Sequence, residues 1–199
     1  MKKALVYIHG KGGAASDSEY FKPLFPECDT YGFDYKSENP WEAESEYKEF
    51  FSGLAKEYSS ITVIASSLGA YFLMVSGAGD MIQKAFLVSP IVNMGRLILD
   101  MMARANVSEE ELRTKNIIRL SEDEVLSWEY LSWVRNHPIE WKVPTYILYG
   151  EKDHFQTFDT MKAFAELVDA DLTVMPNGEH WFHTDEQNEF RKNWLKKYK

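Results

Sequence analysis

The segment ASSLG, residues 65–69, sets a serine hydroxyl among small residues where an apolar run meets a helix-like run. A serine hydroxyl is a poor nucleophile until a neighbouring base takes its proton. A histidine suits that task, and a carboxylate must fix the histidine's tautomer. The serine must also project from a tight turn, so the residues two positions to either side have to be small, the pattern usually written G-x-S-x-G. Ser67 meets that requirement, with Ala65 in the place of the first glycine and Gly69 in the place of the second. Centring the pattern on Ser66 puts Ile64 and Leu68 at those places, and both are too bulky. A serine that merely caps the following helix gives the same local sequence, so this segment alone leaves cap and nucleophile both open.

Later segments offer the remaining groups. YILYGEKDHF places Asp153 shortly after a strand-like run and a turn-forming glycine, and TVMPNGEHWF places His180 after another such run and a Pro-Asn-Gly turn. HGKGG, near the N-terminus, is a glycine-rich loop that can present backbone N–H groups. Glu151 is the rival acid and Glu179 a lesser one; the loop position after the glycine favours Asp153. His180, His183 and Asp185 together offer zinc-type ligands, but their spacing matches no recognised zinc motif. No metal and no cofactor are expected. His183 is expected to cap or pack near the last helix, His9 to hold the glycine-rich loop and His154 to point away from the chemistry. His137, before Pro138, reads as a turn residue.

These residues need elements to hold them. KALVYIHG, running into the glycine-rich loop, and TYGFDY, ITVIAS, KAFLVSP, PTYILYG and DLTVMP read as strands. Between them lie the short helical stretch SEYFKPLF, the amphipathic WEAESEYKEFFSGLAKEY, the apolar and therefore buried LGAYFLMVSGAG, and FDTMKAFAELVD. DEQNEFRKNWLKKYK closes the chain as a helix, with basic residues toward its C-terminal end as the helix dipole favours. Such alternation implies an α/β domain with a mainly parallel sheet flanked by helices, and chemistry gathers at the carboxyl ends of its strands. Those ends carry HGKGG, SSLG, SP, GEKDH and NGEHWFH. The rhythm breaks between residues 93 and 140, where no clear strand is visible and three helical stretches are expected, Ser108 and Ser121 each preceding a Glu-rich first turn.

The 199 residues suit one domain, spanning 1–199 with the 93–140 insertion inside it. A net charge of −9 argues against a nucleic-acid binder, which needs a basic face. The single cysteine, Cys28, excludes an internal disulfide. The N-terminal apolar stretch, residues 4–8, is too short for a signal-peptide core, and no run approaches the ~20 apolar residues of a membrane span. A cytoplasmic protein with no membrane span is expected. Its oligomeric state is open.

HGKGG, ASSLG, GEKDH and GEHWF, in this order and on these element ends, resemble the α/β-hydrolase superfamily, in particular small serine hydrolases of the esterase/lipase type. The resemblance covers essentially the whole chain; the insertion matches only in position and helical character. It implies an α/β-hydrolase fold that starts at the family's third strand, the first two strands missing, with a helical lid insertion at 93–140. It implies Ser67 as nucleophile, His180 as general base and later acid, and Asp153 as the orienting carboxylate. The oxyanion hole would be the backbone N–H of Leu68 with that of Lys11, Gly12 being the alternative second donor. The resemblance further implies a serine carboxylesterase that works through an acyl-enzyme on a small-molecule ester. Within the insertion, Leu97, Ile98, Met101, Met102, Trp128, Tyr130 and Trp133 supply apolar surface. Most are expected to pack its helices, while Met101 and Trp133 are expected to line an apolar acyl pocket. The acidic residues of 109–124 read as a solvated face. Thioester hydrolysis, amide hydrolysis or acyl transfer on the same residues, and a non-catalytic ligand-binding protein on a hydrolase scaffold, are the alternatives.

Overall fold

Strands built from uninterrupted apolar residues must be covered on both faces, and the larger part of the chain does this. The computed structural model describes residues 2–122 and 124–199. Asp123, in the acidic stretch, lies outside the described residues. The chain divides into two compact units, Met1–Val92 with Glu140–Lys199, and Asn93–Ile139.

In the larger unit six strands form one parallel sheet: β1 (Lys3–Ile8), β2 (Asp29–Phe33), β3 (Ser60–Ser66), β4 (Lys84–Val88), and two that follow residue 140. Two strands of the smaller unit intervene in chain order, so these last two are β7 (Thr145–Gly150) and β8 (Asp171–Met175). The order across the sheet is β2-β1-β3-β4-β7-β8. From Ala4 to Ile8, β1 is buried throughout, as are Val63, Ile64 and Ala65 of β3 and Ala85, Phe86 and Leu87 of β4. Helices α1 (Pro40–Ala55) and α2 (Ser67–Val75) pack against each other on the sheet, joined by the rings of Phe33, Tyr35, Tyr47 and Phe72. Two short 3-10 turns, Ala15–Tyr20 and Lys22–Leu24, follow β1. The second contacts the terminal helix α7 (Asp185–Tyr198) over a core that includes Phe21, Phe25, Phe86 and Trp194. Helix α6 (Phe158–Leu167) joins β7 to β8.

The chain leaves β1 toward β2 on one side and leaves β3 toward β4 on the other. The connections therefore diverge between β1 and β3, which opens a crevice beyond their carboxyl ends. HGKGG follows β1 there and Ser67 follows β3.

The smaller unit holds α3 (Met94–Arg104), α4 (Glu109–Lys115), β5 (Ile117–Arg119), β6 (Val125–Ser127) and α5 (Trp128–Asn136). Its hairpin corrects the expectation of helices alone. Asn116, at φ 63°, stops α4, and the β-branched Ile117, Ile118 and Val125 then favour extended backbone. Ile117 pairs with Ser127, Ile118 with Leu126 and Arg119 with Val125. Ser121 caps the hairpin turn rather than a helix, its Oγ accepting from the Glu124 N–H at 3.1 Å. The helix after it begins only at Trp128, capped by Ser127. Among the described residues no helix is long and apolar enough to cross a membrane.

Candidate active site

Ser67 stands at the point where β3 ends and α2 begins, with φ 48°, in the left-handed region that non-glycine residues seldom occupy. Such strain persists only where the surroundings enforce it. The enforcement is visible two residues on. A Cβ on Gly69 would lie 2.2 Å from the His9 carbonyl oxygen, so only glycine lets α2 press this closely on the end of β1. The Ser67 carbonyl in turn accepts from the Ile91 N–H at 3.3 Å.

Asp153 and His180 arrive from the other side. Asp153 closes a turn after β7 by donating its N–H to the Gly150 carbonyl (2.9 Å). Its Oδ1 accepts from the N–H groups of Phe155 (2.8 Å) and Gln156 (3.3 Å), which leaves Oδ2 aimed at the histidine. His180 Nδ1 lies 2.6 Å from Asp153 Oδ2 and its Nε2 lies 2.8 Å from Ser67 Oγ. The side chains of His180 and Asp153 are 2% and 0% exposed, so solvent does not compete for this contact. A carboxylate only accepts, so Nδ1 carries the proton and Nε2 is left as the acceptor for the serine O–H. The loop holding His180 is tied to the loop holding Asp153 by the Lys152 N–H, which donates to the Gly178 carbonyl at 2.8 Å.

The rival carboxylates are otherwise engaged. Glu151 accepts from the Asn177 N–H (2.8 Å), and Glu179 lies 3.3 Å from His183 Nδ1. The His183 N–H donates to Gln187 Oε1 (3.0 Å) at the start of α7, where Thr184 is the N-cap. His154 packs on Phe155 and Trp181, at ring distances of 4.3 Å and 5.5 Å. His9 stacks on Tyr35 (4.6 Å between rings), whose hydroxyl donates to the His9 carbonyl.

A cleft of about 500 Å³ opens over Ser67 and His180. Its walls include residues 10–13 of the glycine-rich loop, folded by a Gly13 N–H to Gly10 carbonyl bond (3.1 Å), with Gly12 at φ 78°. Lys11 lies in that turn and Leu68 in the first turn of α2, where helical N–H groups have no intrahelical acceptor. Five aromatic residues line the cleft: Tyr7, Tyr20, Phe21, Trp181 and Phe182. Burial holds the Tyr7 phenol above its ordinary range; the Asp17 carboxylate adds to this, while the Arg191 cation and the Ser66 side chain oppose it. None of these five aromatics was legible as site lining. Trp181 and Phe182 directly follow His180, which was the one available signal. All the cleft residues belong to the larger unit. Met101 and Trp133, expected to line an acyl pocket, belong to the smaller one, where both are half-buried and Trp133 stacks on His137 at 4.1 Å.

No family model and no curated protein sequence matches the chain. Solved structures do match in shape. The chain is similar to Est1E from Butyrivibrio proteoclasticus (TM-score 0.75, 15% identity, 99% of this chain and 87% of that one). It is similar to alpha/beta hydrolase domain-containing protein 10 from mouse (0.72, 12%, 98% and 88%). A monoacylglycerol lipase from Paleococcus ferrophilus matches at 0.64 and 15%, over 98% of this chain and 94% of that one. At such identities the likeness is one of fold.

Proposed function

Taking as premise that this chain has the α/β-hydrolase fold, we propose that it is a serine hydrolase that cleaves carboxylic esters through an acyl-enzyme on Ser67. The observation that carries this reading is the unbroken line of hydrogen bonds Ser67 Oγ, His180, Asp153, buried at its far end and open to a cleft at the serine. Esterase and lipase names among the structures of similar fold support it.

In this mechanism Ser67 Oγ attacks the ester carbonyl carbon while His180 Nε2 takes the hydroxyl proton. Asp153 stabilises the imidazolium that forms. The carbonyl oxygen, now an anion, is held by the N–H of Leu68 and that of Lys11. Such a donor is worth roughly 3–4 kcal/mol of transition-state stabilisation. His180 returns its proton to the departing alcohol oxygen as the tetrahedral intermediate collapses. A water then enters, gives its proton to His180 and releases the acid, and Ser67 regains its proton.

Covalent labelling by a fluorophosphonate probe tests the reading. The wild type is expected to be labelled, Ser67→Ala not, and Ser66→Ala to keep its labelling. A wild type that resists the probe and hydrolyses no short p-nitrophenyl ester removes the proposal.

A further inference from the structure

The cleft holds a cation that the chemistry at Ser67 does not use. Arg191 lies in the middle of α7 and lines the same cleft as Ser67 and His180. Its guanidinium is laid over two rings, with Cζ 4.9 Å from the centre of Tyr20 and 5.2 Å from that of Phe21. Nη2 donates to Asn188 Oδ1 at 2.7 Å, which fixes the plane of the fork. Nε is buried with no hydrogen-bond partner. Among the described residues, no carboxylate forms an ion pair with this guanidinium.

Charge in the cleft runs against charge in the chain. The protein carries −9 overall, yet the ionised groups lining the cleft are Lys11, Arg191 and Asp17, two cations to one anion. Asp17 keeps its charge in the cleft while its Oδ2 accepts from the Ala14 N–H at 3.2 Å. A cation held flat by aromatic rings, in no ion pair among the described residues and in the same cleft as a candidate nucleophile, suits an anionic group brought in by a ligand. Guanidinium matches a planar carboxylate in geometry, and Tyr7, Trp181 and Phe182 supply apolar wall for the rest of the molecule.

We propose that Arg191 is a specificity residue, and that the substrate is a small ester carrying a free carboxylate on the part that extends past Tyr7 toward α7. This inference rests on the serine-hydrolase reading for its substrate, but not for the binding of the carboxylate. The guanidinium holds the carboxylate, the aromatic residues hold the apolar body, and the ester carbonyl lies at Ser67.

Two pairs of esters test it, one for each half of the substrate. The first is p-nitrophenyl hydrogen glutarate against its methyl ester, and the second is carboxyphenyl butyrate against its methyl ester. In at least one pair the wild type is expected to prefer the acid by tenfold or more in kcat/KM. In Arg191→Gln that ratio falls at least tenfold, with the change mainly in KM. Lys192→Gln, which removes the same charge one position further along, keeps the ratio. No preference in either pair, or a preference that survives Arg191→Gln, overturns the inference. Calorimetric binding of the same acids to Ser67→Ala, compared with the Ser67→Ala/Arg191→Gln double variant, gives a readout without turnover. Binding at least tenfold weaker in the double variant supports the carboxylate site even if the fluorophosphonate test fails. Equal binding, or none in either protein, counts against it.

Discussion

Gly150 and Gly178 meet backbone to backbone: a Cβ built on Gly150 would lie 2.6 Å from the Gly178 carbonyl oxygen. The same carbonyl accepts the Lys152 N–H. The ends of β7 and β8 are thus stitched together, and the distance between Asp153 and His180 is set by this contact.

Gly150→Ala must push one backbone off the other, since the obstacle is main chain and not the tip of a flexible side chain. It is expected to lower stability in urea unfolding by about 1–3 kcal/mol, the usual cost of overpacking. Because the loops it separates carry Asp153 and His180, the folded fraction should also lose ester hydrolysis. Gly53→Ala is the contrast. Gly53 lies near the C-terminal end of α1, exposed, with nothing within 4 Å of an added Cβ. There alanine is expected to raise stability by roughly 0.5–1 kcal/mol. The same substitution at two glycines should therefore move the unfolding midpoint in opposite directions.

Asp153 and Glu151 lie two residues apart and should behave very differently. In Asp153→Asn the side-chain oxygen is expected to keep the two backbone N–H bonds from Phe155 and Gln156, which turns the amide NH2 toward His180. An NH2 there requires Nδ1 to accept, moving the ring proton to Nε2, where it can no longer take the proton of Ser67. A loss in kcat of about 10⁴ is expected, with the fold intact by circular dichroism. Glu151→Gln loses only a charge-assisted bond to the Asn177 N–H, so a stability change of about 1 kcal/mol and a small change in kcat are expected. A large kcat effect at Glu151 and a small one at Asp153 would reverse the assignment of the acid.

What could be read from sequence depended on whether the signal was local. The parallel sheet was legible because each strand is a short apolar run ended by Gly, Pro or a polar turn, a pattern carried within a few residues. Ser67 was separable from Ser66 by the size of residues two positions away, which is again local. Asp153 and His180 were legible from their places after strands. The β5–β6 hairpin was not, because its two strands are short and flank an acidic turn that reads equally well as a helix start. The cleft wall was hidden for a different reason. Tyr7, Tyr20, Phe21 and Arg191 come from β1, a 3-10 turn and α7, and only the packing of α7 against the turns after β1 brings them together. Arg191 in particular looked like one of several basic residues on a terminal helix.

Ser66, beside the candidate nucleophile, is expected to brace the turn at Ser67 through Tyr7. Tyr7 is a β1 residue only 6% exposed, its phenol held up by burial and by Asp17 and drawn back by Arg191 and by the side chain of Ser66, which adjoins the strained turn at Ser67. Both residues line the cleft, one from β1 and one from the end of β3, so a hydrogen bond between their hydroxyls would tie the two strands together there. Removing either hydroxyl leaves the other without this partner, so Tyr7→Phe and Ser66→Ala should each destabilise by about 1 kcal/mol. If the two groups depend on each other, the double variant costs less than the sum of the singles, and the coupling in a double-mutant cycle should be roughly 0.5–1.5 kcal/mol. Urea unfolding of the four proteins measures it. Strictly additive losses would mean that the hydroxyls act independently and that Ser66 does not brace the turn through Tyr7.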